Sequence, residues 1–209
     1  MSRSNFDMLC VLSPAKKLNN CESIKEQLSE DFSTHSLRLS KKTKDLVKVM
    51  QEKSQAQIKS LMKLSSALSE LNYQRYQNFS LTKKSELAPS VYSFAGDTYK
   101  GLDVWSLTPS QVKKLDQKVK ILSGLYGLLD PLTNIYPYRL EMGTKLQVKD
   151  AKNLYQFWGD DITNELNKDL KSTKSKYLIN CASEEYFKSV NPNELVAEVV
   201  TPVFLNFKN

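Results

Sequence analysis

Histidine occurs once in this 209-residue chain, cysteine three times, and arginine supplies only four of the 30 cationic residues, Arg3, Arg38, Arg75 and Arg139. With His35 alone, a metal site built on histidines and a Ser/His/Asp triad are both disfavoured. Cys10, Cys21 and Cys181 lie far apart without a CxxC pair, against a disulfide framework or a thiolate metal site. Neither a metal nor a cofactor is expected. No run reaches the roughly 18 apolar residues of a membrane span, and the apolar stretch near the N-terminus is short and ends in lysines, unlike a secretory signal. The expectation is a cytoplasmic protein with no membrane partner. Scarce arginine also weighs against base-specific readout of nucleic acid, which leans on the planar guanidinium fork.

What is present is enough for a core. Apolar residues make up 40% of the chain, which fits a single domain over residues 1–209 with a helical elaboration. The net charge of +7 is unevenly placed: residues 1–95 hold 15 Lys and Arg against 9 Asp and Glu, and residues 96–209 hold 15 against 14. A positive excess of this kind favours phosphate-bearing partners through counterion release.

Met8–Leu12 reads as a buried first strand. From Glu22 to Phe79 there is no glycine or proline, and apolar residues recur at helical spacing, so three or four helices are expected, with breaks near Phe32–Ser40 and Lys53–Ser54. All six glycines fall between Gly96 and Gly159. Val91–Ala95 reads as a strand entering a turn, Thr108–Leu122 as a helix opened by Thr108 and Pro109, and Ile121–Tyr126 as a strand or the end of that helix. Leu154–Leu170 reads as one helix, Tyr177–Ala182 as a buried strand, and Val196–Leu205 as an edge strand bearing Pro202. Strands alternating with helices imply a mixed α/β fold.

Several constellations carry chemistry. Lys16 follows the first strand, where α/β folds place ligands. Asp97, Tyr99 and Lys100 sit between two glycines and could meet a phosphate. Gly124, Tyr126 and Gly127 resemble the hairpin of a helix-hairpin-helix module. Arg139 and Glu141 share one side of an extended segment, because side chains alternate with period two, and they either pair or flank a ligand. Trp158 and Asp160 open a helix, and Glu141 with Asp160 is a candidate acid/base pair, with Tyr99 or Trp158 stacking a base. Asn180 and Ser183 end a strand, Ser183 as a helix cap.

In order, SPAKK, FAGDTYKGL, LSGLYGLLDPL, YPYRLEMG, LYQFWGD, NCASEEYFKSV and TPVFL resemble the motif blocks of the YaaA family of bacterial peroxide-stress proteins. The resemblance implies a compact mixed sheet surrounded by helices, in a fold peculiar to that family with a helix-hairpin-helix-like segment. It implies DNA, double-stranded or distorted, as partner, bound in a positive cleft and contacted by Lys16, Lys100 and Arg139. It also implies a role in limiting free iron and oxidative DNA damage under hydrogen peroxide. Two departures stand out: Asp130 replaces an arginine usual before the proline of the hairpin block, and the chain is short at its C-terminus relative to the family. An enzyme acting on nucleic acid or nucleotide, or a small-molecule binding protein, is the competing expectation.

Overall fold

A computed structural model describes residues 8–28 and 34–203. Nine strands are found in it: β1 Met8–Leu12, β2 Lys17–Leu18, β3 Ala88–Pro89, β4 Phe94–Ala95, β5 Val119–Ser123, β6 Gly127–Leu129, β7 Asn134–Ile135, β8 Tyr177–Cys181 and β9 Glu198–Val200. The helices are α1 Cys21–Gln27, α2 Ser40–Gln51, α3 Gln55–Met62, α4 Ser66–Gln77, α5 Ser90–Ser93, α6 Asp97–Leu102, α7 Pro109–Lys118, α8 Leu154–Trp158, α9 Asp161–Ser172 and α10 Glu184–Phe187.

The main sheet has the order β6-β5-β1-β8-β9. β1 is parallel to β5 and to β8, β8 is parallel to β9, and β6 alone runs antiparallel, against β5. Central strands of such a sheet are covered on both faces and so read as continuous apolar runs. Leu9, Val11, Ile121, Leu122 and Leu178 are all fully buried. They join one large core with Leu46 and Met50 of α2, Ile58 of α3 and Leu166 of α9. A second, smaller cluster of Ile24, Val91, Tyr92, Val104 and Val112 seats α1, α5 and α7.

Local chemistry explains most element ends. Thr108 makes a capping box with Gln111 and Pro109 occupies the first turn of α7, where a missing N–H costs nothing. Ser54 and Gln57 do the same for α3. The four helices of the glycine-free half match the expected number. The break at Lys53–Ser54 is found, the other expected break lies partly outside the described residues, and Lys63 in the left-handed region supplies one that periodicity did not reveal.

Four expectations are corrected. Val91–Ala95 is not a strand: Ser90–Ser93 forms a helical turn in which Ser93 Oγ donates to the carbonyls of Ala88 and Pro89, leaving two residues to pair with β2. Residues 97–102 form a helix rather than a turn. The expected helix over Leu154–Leu170 is two, because Gly159 adopts φ +51° and turns the chain between α8 and α9. The last strand shrinks to Glu198–Val200, and Phe204 and Leu205 lie outside the described residues.

Candidate functional site

β1 lies between two parallel neighbours, β5 and β8, and the chain leaves it for one side before returning on the other. Open α/β sheets bind ligands in the crevice outside the carboxyl ends of strands at such a reversal. Here the crevice receives Ser13, Gly124 and Ala182, the residues just past the three strand ends.

Glycine at 124 is required by close approach. A Cβ there would stand 2.3 Å from the Leu140 carbonyl oxygen, inside any tolerable separation. The segment from Tyr136 to Glu141, without regular structure, therefore presses on the end of β5. Tyrosine hydroxyls hold its backbone: Tyr76 donates to the Arg139 carbonyl at 2.9 Å, and Tyr126 donates to the Tyr136 carbonyl at 2.9 Å. Tyr138 and Ser123 join hydroxyl to hydroxyl at 2.6 Å. Burial pushes the Tyr76, Tyr126 and Tyr138 hydroxyls well above their ordinary values, so these groups stay neutral donors.

Held this way, Arg139 and Glu141 face each other. The guanidinium donates from Nε and Nη2 to Glu141 Oε1 at 3.2 and 2.9 Å, and Lys16 Nζ lies 3.6 Å from the same oxygen. Glu141 is only 15% exposed, whereas Lys16 is 68% exposed. One carboxylate thus sits between a largely buried cation and an exposed one, and the three side chains together carry one net positive charge.

Beside it, a cleft of about 510 Å³ is lined by Ser13, Lys16, Thr98, Asn180, Ser183 and Glu185 among others. Asn180 accepts from the Ala182 amide and donates to Thr201 Oγ1. Ser183 occupies the N-cap position of α10 but makes no side-chain cap bond; its amide donates instead to Ser13 Oγ at 2.9 Å, which ties the ends of β1 and β8 together. Tyr99 donates to the Ser13 carbonyl at 2.9 Å from below. Glu185 accepts from the Gly143 amide at 2.8 Å.

The strand-end crevice therefore assembles Lys16, Gly124, Arg139, Glu141, Asn180 and Ser183 from separate stretches of sequence. Lys100 and Asp97 stand on α6 next to Thr98, both strongly exposed and paired with each other at 3.3 Å. Other expectations fail on burial. Tyr99 and Trp158 are core residues and cannot stack a base; Trp158 is fully buried and donates Nε1–H to the Gly124 carbonyl at 3.1 Å. Asp160 is exposed at the start of α9, and no hydrogen bond or ion pair joins it to Glu141.

The helix-hairpin-helix reading is corrected too. Gly124 and Gly127 bracket a turn between two antiparallel strands. Gly127 needs its φ of +73°, and a Cβ there would meet Leu39 and the Trp158 ring within 3.0 Å. Tyr126 is buried as well. These residues shape the crevice from inside rather than gripping a phosphate.

Asp130 faces away from solvent. It accepts from Arg38 Nε at 2.8 Å and Nη2 at 2.6 Å and from the buried Lys120 ammonium. Burial alone would raise its carboxyl, but Arg38 and Lys120 outweigh that and hold it below the usual range. Arg38 also pairs with Asp169 at 2.8 Å.

Sequence reasoning missed a basic cleft. About 1040 Å³ in volume, it is lined by Lys25, His35, Lys44 and Lys84 with Thr34, Ser36, Ser40, Thr82 and Asn134, and its described lining contains no carboxylate. Lys44 and Lys84 are exposed and make no ion pair among the described residues. Their wide spacing in sequence hid them; the N-terminal charge excess was the only signal. No group of three or more His, Cys, Asp or Glu side chains is placed to hold a metal ion among the described residues. Cys10 is pushed up to about 12 by burial and by the neighbouring Cys181, so it is a poor thiolate. None of the described helices is long and apolar enough to cross a membrane.

Comparison with known proteins gives consistent matches over most of the chain. A family model described as peroxide stress protein YaaA matches residues 8–209. A UPF0246 protein of Aliivibrio fischeri is 45% identical over 205 residues, covering 97% of this chain and 76% of that protein. One from Idiomarina loihiensis is 43% identical over 203 residues, covering 97% and 77%. Another, from Burkholderia thailandensis, is 44% identical over 206 residues, again covering 97% and 77%.

Proposed function

We propose that this chain, which belongs to the peroxide stress protein YaaA family, acts under peroxide stress by binding DNA through its lysines, which pair with phosphate. The observation that carries this reading is the basic cleft: Lys25, Lys44 and Lys84 converge on it with no carboxylate in its described lining. Lysine is a point charge on a flexible stem, suited to phosphate and not to a base edge, so binding without sequence preference follows. Hydroxyl and amide groups of Thr34, Ser36, Thr82 and Asn134 add neutral donors along the same walls.

Lys16 and Lys100 form a second set of phosphate-binding groups, weaker because each already has a carboxylate beside it. Arg139, clamped on Glu141, positions that carboxylate. The limiting of free iron and of oxidative DNA damage lies downstream of this occupancy of DNA.

Fluorescence anisotropy of labelled duplex and bulged DNA across a salt series tests the proposal. Affinity should fall steeply with salt, and Lys44→Ala with Lys84→Ala should flatten the log–log slope by about 2, near 0.9 for each phosphate that is no longer neutralised. Binding indifferent to salt, or a slope untouched by the double substitution, would contradict it.

A second reading rests on the strand-end crevice. Glu141 between Arg139 and Lys16, at the carboxyl ends of β1, β5 and β8, has the placement of an acid/base group in a nucleotide-processing enzyme. Under that reading Glu141→Gln abolishes turnover of a nucleotide substrate while sparing its binding.

A further inference from the structure

A cavity of about 880 Å³ opens between α1, the loop before β3 and the end of α4, and Arg75 lines it together with Tyr136 and Ser85. Arg75 is partly buried, yet it appears in no hydrogen bond and no ion pair among the described residues. Its position on the last turn of α4 fixes the stem. Burial draws its proton affinity below the ordinary value, partly offset by Tyr136 and Tyr76, but a guanidinium remains charged at neutral pH. A charged group withdrawn from water without a partner is costly unless a ligand supplies the counter-charge.

Two further donors face the same space without a partner among the described residues. Tyr136, only 7% exposed, has its backbone occupied by Tyr126 but its own hydroxyl unbonded among those residues, and its ring is set by Phe79, 5.0 Å away between centroids. Ser85 Oγ is likewise unbonded and exposed. The other polar groups of this wall are engaged: Asn19 donates to the Tyr92 carbonyl, Asn20 caps α1, and Lys25 donates to the Lys84 carbonyl.

The rim decides the charge of the occupant. Glu22, Glu26 and Glu86 line the cavity with the cations Lys25 and Arg75, and Glu86 is paired with Lys83 just outside it, so the charges about the cavity balance. The carboxylates of Glu22 and Glu26 work against a dianion or a polyanion, whereas a single negative charge can be aimed at the guanidinium. The Arg fork offers two parallel N–H donors to a planar carboxylate.

From this geometry we infer that the cavity is a binding site for a small monocarboxylate, with Arg75 as the bidentate anchor and the Tyr136 hydroxyl as the second donor. The occupant is a small molecule, and although Lys25 lines both spaces, Arg75 and Tyr136 do not line the lysine cleft proposed for DNA, so either reading can fail without the other. A cationic group elsewhere on the ligand gains from Glu22 and Glu26.

The chain has four arginines, so the Nε–H region of a nitrogen-edited NMR spectrum is sparse, and the Arg75 signal is identified by its loss in Arg75→Lys. Propionate, inorganic phosphate and sodium chloride are titrated separately at matched ionic strength. Propionate should move the Arg75 signal saturably, phosphate should bind more weakly, and chloride should do neither. Amide shifts at Ser85 and Tyr136 should report a propionate affinity about tenfold lower in Arg75→Lys and about threefold lower in Tyr136→Phe, as expected for removal of a charge-assisted and of a neutral hydrogen bond. Since Arg75 makes no hydrogen bond among the described residues, its variant should fold, and Tyr136→Phe keeps the test intact if it does not. No saturable shift with propionate, tighter binding of phosphate, or unchanged affinity in both variants would each overturn the assignment.

Discussion

Arg38 and Arg75 are both partly buried cations in the basic half of the chain, and they meet opposite surroundings. Arg38 spends its guanidinium on Asp130 and Asp169, with Lys120 completing the cluster against the sheet. Arg75 opens onto a cavity and is bonded to no acceptor among the described residues. Burial lowers the proton affinity of both, but for Arg38 the two carboxylates outweigh it and the net shift is upward, whereas for Arg75 it stays downward. The difference separates charges that hold the fold from charges left over for a ligand. The same division runs through the lysines: Lys120 is locked inside, while Lys44 and Lys84 are exposed on a cleft and make no ion pair among the described residues.

Breaking the paired side should cost most. Asp130→Asn leaves Arg38 and Lys120 without their shared counter-charge, and unfolding by denaturant should show a loss of about 3–5 kcal/mol. A loss below about 1 kcal/mol would mean that the cluster is dispensable.

Gly124→Ala comes next, because its Cβ would collide with the Leu140 backbone at 2.3 Å. Overpacking there should cost about 1–3 kcal/mol in the same assay and displace the Arg139–Glu141 segment.

Acid should weaken the paired region in a defined window. Asp130 titrates below its usual value in the folded chain, so the unfolded chain binds the proton more readily. Its contribution is present above the ordinary aspartate pKa of about 3.9 and is lost as pH falls from there toward the lower folded value. The half-buried Asp169, raised chiefly by desolvation, acts in the opposite sense. A pH series of unfolding midpoints should show a drop below about pH 4 that is shallower in Asp130→Asn. An equal drop in both proteins would remove Asp130 from the account.

The smallest effect is expected at Arg75. Arg75→Lys keeps the charge and removes no hydrogen bond found among the described residues, so its stability should stay within about 0.5 kcal/mol of wild type. A larger loss would place Arg75 with Arg38, on the structural side of the comparison.

Much of the fold was legible because it rests on local signals. The apolar run of β1, the Thr108–Pro109 helix start and the four helices before Phe79 all follow from periodicity and capping. Period-two alternation also put Arg139 and Glu141 on one side, and the pair forms. What sequence could not supply was burial. Tyr99 and Trp158 read as base-stacking groups and Tyr126 as part of a phosphate-gripping hairpin, because they sit among glycines and charges, but long-range packing draws all three inside. Asp130 read only as a missing arginine because its partners, Arg38 and Lys120, lie 92 and 10 residues away. The Arg75 cavity gathers α1, α4 and the segment before Arg139, and no motif joins them.

The most direct test of the division between holding charges and binding charges is to measure DNA affinity against salt together with unfolding free energy, on two variants. Lys44→Ala with Lys84→Ala should lose about 2 units of log–log salt slope and keep its stability, and Asp130→Asn, studied where it remains folded, should lose stability and keep the slope. If the lysine substitutions left DNA binding unchanged, or unfolded the protein as readily as Asp130→Asn does, the two kinds of charge would not be separate and the account would be wrong.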